Sequence, residues 1–374
     1  MNSVYFSTKK TGQRGFTITE LMIAMTLGLI LLTGMISAFV GSKRSSEFNS
    51  AISNMQESAR FAMDTISRFT RIAGFQGCID LNKSSAIIRG DNSPTTNLID
   101  TAVSSSAVVS PGSWVPAPPL SFLYPQNGVE AVPGTHTLAL QFGSAVVSRL
   151  SVAMLNEASA IPLLHNRAGL RDGDLAIISD CDVADLFRVT TAPTEDGPLT
   201  HLAVDNDNNG NLSKAYGRPS SIRDTRVMKF NSNVYFVGTT GELTESGDPL
   251  RSLYVQTLPY EASNPPTQLV EGIENLRVRF GVRQNNGALV YVTSSQPGYD
   301  PSRIETVQLG ILMASYERIR NDADQQTYLL AGQPIPPAAA GQTVMDGLNH
   351  SSNTQYRLVF NTTIKVRNRR DREI

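Results

Sequence analysis

Residues 15–44 read GFTITELMIAMTLGLILLTGMISAFVGSKR, and this stretch decides how the chain is organised. From Leu21 to Ser42 there are 22 consecutive residues without Asp, Glu, Lys or Arg, closed by Lys43 and Arg44. As an α-helix rising 1.5 Å per residue the run spans roughly 33 Å, enough to cross the hydrocarbon core of a bilayer. The residues before it are polar, carry Lys9, Lys10 and Arg14, and include no acid. A secretory signal places its small-residue cleavage site after the apolar stretch, whereas here the small residue, Gly15, comes first. A cut there leaves the apolar helix on the mature chain. The basic leader is expected to stay cytoplasmic, with everything beyond the span outside.

Past Ser42 the apolar positions continue as Phe48, Ile52, Met55, Ala59, Ala62, Ile66, Phe69 and Ala73, spaced by fours and threes. That is the seam of an amphipathic helix. Ser50, Ser53, Asn54, Gln56, Glu57, Arg60, Asp64, Ser67 and Arg71 supply its polar face, and Gly74 and Gly77 its stop. One helix is therefore expected from Thr17 to Ala73, roughly 85 Å long. Its front half is apolar all round, and its rear half has one stripe to bury. No proline interrupts it, and Gly28 and Gly34 are its weak points.

The heptapeptide Gly15-Phe16-Thr17-Ile18-Thr19-Glu20-Leu21, set between a basic leader and an unbroken apolar helix, closely resembles the processing site of type IV pilins and pseudopilins. The resemblance implies cleavage by a prepilin peptidase between Gly15 and Phe16 and N-methylation of Phe16. Glu20 has two compatible readings. Thr17-x-x-Glu20 fits a capping box that satisfies free N–H groups at the helix start. By resemblance, Glu20 also pairs with the Phe16 amine of a neighbouring subunit. A dry ion pair of that kind selects register more than it adds affinity.

After Cys78 the text turns β-rich. Ser104 to Gly134, rich in Ser, Pro and Gly, reads as a long irregular connection, and Gly332 to Gly341 as a loop. Leu138, Leu140 and Phe142 form one inward row. Leu276, Val278, Phe280 and Val282 alternate with Arg277, Arg279 and Arg283 as a half-buried strand, and Val307 to Met313 and Leu358 to Val366 give two more. The expected fold is α+β: a long N-terminal helix packed on an antiparallel, β-rich domain. The expected division is a leader over 1–15, a membrane and assembly half over 16–42, an amphipathic half over 43–77 and a globular domain over 78–374.

The stretches Arg71 to Cys78, Asp174 to Cys181 with Phe187-Arg-Val, Val270 to Leu276, and Arg357 to Arg369 resemble the PilW family of minor pilins. That implies a low-copy subunit working with other minor pilins, the major pilin, the prepilin peptidase and the inner-membrane assembly platform. It implies a complex that primes pilus assembly at the tip, serving motility and attachment. It also implies a single pass through the inner membrane before the chain enters the pilus. A J-type pseudopilin of type II secretion, a tip adhesin using the 104–134 loop, and a plain signal-anchored protein are the alternatives.

Other features weigh less. The 32 Lys and Arg against 33 Asp and Glu give no overall pull toward nucleic acid, and none is expected as a partner. Cys78 and Cys181, the two cysteines, lie in the exported part, and a disulfide between them would close a loop of about a hundred residues. His136, His165, His201 and His350 show no metal-site spacing. Asp205-Asn-Asp-Asn-Asn-Gly-Asn211 opens like a calcium loop, with Asp205, Asp207 and Asn209 as candidate ligands. Tyr216 stands where such a loop needs its closing Glu, so an Asn/Asp/Gly turn is the plainer reading, and no cofactor is expected. Arg367, Arg369, Arg370 and Arg372 read as a solvated basic terminus. No nucleophile elbow, metalloprotease helix or phosphate loop is present, so no enzyme is expected.

Overall fold

The structure, a computed structural model, describes residues 15, 17–110, 112–117, 129–218, 222–259, 264–339 and 347–369. The chain divides into two compact units, residues 1–52 and 53–374.

A single α-helix, Ile18–Ile72, comes within one residue of the expected span at each end. In its rear part Met55, Ala59, Ala62 and Ile66 are buried, while Ser53, Asn54, Gln56, Glu57, Arg60, Asp64 and Arg71 are exposed. The helix stops where Gly74 takes φ +80°, a left-handed conformation natural to glycine, and a Cβ there would sit 2.6 Å from the carbonyl of Asn368. Orphan groups at this end are met from far along the chain. The Asn368 side chain donates to the carbonyl of Ile72 at 3.1 Å, and the Gly74 amide donates to that of Gln141 at 2.8 Å.

Two large sheets and three two-stranded ribbons account for the strands among the described residues. The first is built on Arg226–Leu243, an 18-residue strand. Along one edge it pairs with Leu175–Ser179 and then Pro249–Thr257, and along the other with Leu138–Ser148 and then Glu130–Ala131. Its middle, residues 232–238, is buried throughout, as in a strand covered on both faces. Ala184–Arg188, Ile87–Ile88, Thr267–Glu271 and Val103–Ser104 extend this sheet. The second sheet is antiparallel throughout, in the order Leu289–Val292, Ile273–Arg283, Ile304–Ala314, Arg357–Lys365.

The main core joins the helix seam to both sheets. Met55, Ala59, Ala62, Ile66 and Ala73 cluster with Leu138, Leu140, Tyr235 and Val237 of the first sheet and with Leu276, Val278, Phe280, Leu309 and Ile311 of the second. Phe69 stacks on Phe142 with ring centroids 5.3 Å apart. A second core gathers Ile161, Leu163, Ile178, Phe187, Leu199 and Tyr216.

Four expectations are corrected. Within 104–134, Ala107–Ser110 and Ser113–Val115 pair as a short hairpin that buries Trp114, and Glu130–Ala131 joins the first sheet. Within 332–341, Gln333–Ile335 pairs with Tyr328–Leu330. Arg277 is buried, with its guanidinium donating to the carbonyl of Gly347 at 2.6 Å. Arg369 donates to the carbonyls of Ile99 and Pro301 and does not trail in solvent, while Arg370 and Arg372 lie outside the described residues. The short hairpins are local pairings hidden in turn-rich text, and the two arginines find carbonyl partners far along the chain.

The second sheet also buries a charge network. Arg357 makes a two-pronged contact with Glu274, at 2.7 and 2.9 Å, and reaches Asp324 at 3.2 Å. Burial opposes ionisation of Glu274, but the charge and hydrogen bonds of Arg357 outweigh it and hold that carboxyl below its ordinary value.

Candidate assembly site

At the helix start the Glu20 carboxylate accepts from the Thr17 amide at 3.3 Å and from the Thr17 hydroxyl at 3.2 Å. The Glu20 amide donates back to the Thr17 hydroxyl at 3.3 Å. This is the reciprocal capping box that the sequence spacing predicts. Gly15 is exposed, and Phe16 lies outside the described residues.

From Ile18 to Glu47 every residue is exposed. Large apolar side chains stand out here: Ile18 is 80% exposed, Phe39 70% and Met35 68%. Exposed apolar side chains on this scale suit lipid or other helices. The two threonines inside the run are already satisfied. Thr26 donates to the Ile23 carbonyl at 2.9 Å and Thr33 to the Leu29 carbonyl at 2.8 Å, which removes two hydroxyls from the cost of an apolar environment. A Cβ added at Gly28 or Gly34 would meet nothing within 4 Å, so no internal packing requires a glycine at either position. Beyond the run, Lys43 and Glu47 form an exposed i,i+4 pair at 3.6 Å. Among the described residues this helix is long and apolar enough to cross a membrane, and with the prepilin-like motif it makes the chain membrane-anchored.

Cys78 and Cys181 are joined as a disulfide, with Cα atoms 4.4 Å apart across 103 positions of sequence. The bond ties the segment after the helix to the turn that follows Leu175–Ser179. Gly77 makes the approach possible. At φ +92°, a Cβ on it would meet the Ser179 side chain at 2.8 Å.

The Asp205–Asn211 segment is a turn held by its backbone and by Asn206. Asn208 and Asn209 take φ near +58°, and Gly210 φ +75°. The buried Asn206 accepts from the Arg188 amide at 2.7 Å and returns a bond to the Arg188 carbonyl at 2.9 Å. Tyr216, in the position where a calcium loop would close with Glu, is fully buried and donates to Asp185 at 2.7 Å. Burial, and then the charge of Asp185, push the Tyr216 phenol well above its ordinary value. Among the described residues no group of three or more His, Cys, Asp or Glu is placed to hold a metal ion. The two threonine bonds inside the apolar run escaped the sequence reading, although Thr after an aliphatic turn was the available signal.

Two family matches fall on these elements. The prokaryotic N-terminal methylation motif matches residues 10–36, spanning Gly15, Phe16, Glu20 and most of the apolar run. Type IV pilus-assembly protein W, the PilW family, matches residues 234–368, from the middle of the long first-sheet strand to the Asn368 cap. Neither the curated proteins nor the solved structures offer a match to the chain. The PilW family is a structural and assembly component of the pilus, and the motif is that of prepilin-like chains. Together with a long apolar helix and an antiparallel β-rich domain, these two matches support a PilW-like type IV minor pilin.

Proposed function

We propose that this chain joins other minor pilins in a complex that primes type IV pilus assembly, at the pilus tip, in support of motility and attachment. The observation that carries the proposal is the pairing of a PilW match over 234–368 with a methylation motif over 10–36 in one chain. In this reading prepilin peptidase removes residues 1–15, and Phe16 becomes the methylated N-terminus. The helix then anchors the chain in the inner membrane until the assembly platform extracts it. Residues 16–42 serve as the membrane and assembly half, 43–77 as the amphipathic half, and 78–374 as the domain outside the cytoplasm, where the Cys78–Cys181 bond forms.

Glu20 has a second task in this proposal. Its carboxylate caps its own helix in the isolated chain and pairs with the Phe16 amine of a neighbour in the filament. The capping box supports this, because it holds the carboxylate at the first turn, beside the terminus that processing creates. In low dielectric a charge with a fixed partner sets register.

The test deletes the gene, counts surface pili by electron microscopy, and measures export of folded extracellular enzymes in the same strain. Lost pili with intact export is the expected result. Normal pili with failed export would move the chain to a secretion filament, and normal pilus number with lost adhesion would favour a tip adhesin.

A further inference from the structure

Among the described residues, the outer strand of the second sheet, Arg357–Lys365, is paired along one edge and open along the other. Its pairing with Ile304–Ala314 runs without a register shift from Arg357 opposite Ala314 to Lys365 opposite Thr306. The bonds that flank the ladder fix its phase. The Val366 amide donates to the Glu305 carbonyl at 2.9 Å, and the Ser315 amide donates to the Tyr356 carbonyl at 2.9 Å. Bonded pairs in an antiparallel ladder recur every second residue, so the even-numbered residues Leu358, Phe360, Thr362 and Ile364 face the neighbouring strand. The backbone groups of Val359, Asn361, Thr363 and Lys365 therefore point to the open side.

This edge lacks the usual guards against pairing. It has no proline, no bulge and no charge between Arg357 and Lys365, and Asn361, Thr363 and Lys365 are exposed. The other outer strands are shorter or broken. Leu289–Val292 has four residues, Ile87–Ile88 two, and Thr267–Glu271 five with a register shift opposite Leu253 and Tyr254. The face beside the edge is rigid. Asn361 accepts from the Ala331 amide at 2.8 Å and donates to the Leu329 carbonyl at 3.0 Å, which fixes the Tyr328–Ile335 hairpin over the sheet.

We propose that this edge receives an extended segment of another subunit, which adds a strand to the second sheet. The proposal rests on the reading of the chain as a filament subunit. The occupant is β-prone and uncharged along most of its length, with an acidic residue set against the exposed Lys365 and Arg367 at one end. A second copy of this chain fits less well. Antiparallel self-pairing centred on Asn361 sets Lys365 opposite Arg357 at both ends, a like-charge juxtaposition.

The test places the photo-crosslinker p-benzoylphenylalanine at Thr363 of the full chain, in cells that make the complete filament machinery. An adduct with an extended segment of a different subunit is expected. An adduct only with a second copy of this chain, or none, overturns the proposal. In parallel, Thr363→Pro removes one open-side N–H, a change edge strands accept, and Thr363→Lys adds a charge while keeping the N–H. Each variant is expected to lower co-purification of the neighbour about tenfold or more with the melting temperature unchanged. Undiminished co-purification by a folded variant overturns the edge alone. The priming proposal fails on a different result, normal piliation in the deletion strain.

Discussion

The front and rear parts of one helix obey different physics. Ile18 to Glu47 exposes every residue, whereas Met55, Ala59, Ala62 and Ile66 belong to a core shared with two sheets. Both parts contain abundant apolar residues, but the front run from Leu21 to Ser42 carries no charge while the rear sets its apolar stripe opposite a charged face. Where apolar residues encircle the helix, no face of the chain's own domain can cover them, and the binding partner must come from outside. Where they form one stripe, the chain supplies the partner itself. The helix thus divides its hydrophobic content between anchorage and folding.

The comparison can be broken by perturbing each part and asking which property moves. The largest effect is expected behind the helix. Cys78→Ser together with Cys181→Ser removes a long-range link and should lower unfolding free energy by at most ~4–5 kcal/mol, read by urea denaturation of the full chain in detergent. Membrane retention should not change. Next, Ile66→Ala in the core should cost about 2–5 kcal/mol, while Leu31→Ala in the exposed run should stay within about 0.5 kcal/mol. Equal costs would erase the distinction between the two parts.

Acid gives a third, intermediate effect that belongs to the domain. His136 is buried, with Nδ1 3.1 Å from both the amide nitrogen and the carbonyl oxygen of Val278. Burial, then the charge of Arg277, lower its pKa to about 4. A depressed folded value means that the neutral ring is favoured in the fold. That contribution is complete above about pH 6.5 and is lost as pH falls toward 4, with a ceiling of roughly 3 kcal/mol. Melting temperatures measured across this window should fall, and His136→Gln should flatten the fall. The smallest effects sit at the helix start. Thr17→Ala should reduce helix stability by about 1 kcal/mol. Glu20→Gln retains a capping-box side chain, so helicity should hold while incorporation into filaments drops. Unchanged incorporation would leave Glu20 with its capping role alone.

Much of this was legible in the sequence. The helix limits, four of the strands and the Thr17–Glu20 box followed from spacing, because each depends on neighbours within a few residues, whereas Arg226–Leu243, on which the first sheet is built, did not. The resemblance to PilW-like minor pilins likewise rested on local stretches. Much of what escaped the reading depends on partners distant in sequence. The hairpin of Ala107–Ser110 with Ser113–Val115 is local, but its Ser-, Pro- and Gly-rich surroundings hide it. Arg277, Arg357 and Arg369 look like solvent residues by type, and distant carbonyls or carboxylates receive them in the interior. The Asp205 turn carried a ligand-like pattern, yet Asn206 and Gly210 are used to fold it, and Tyr216 is spent on the buried Asp185.

The cap that Asn368 places on the carbonyls of Ile72 and Ala73 also has a consequence in time. The helix is translated before the residue that finishes its end, which follows Ile72 by 296 positions. A truncated chain can insert in the membrane but cannot close this contact. A segment made long after the helix thus closes the helix end.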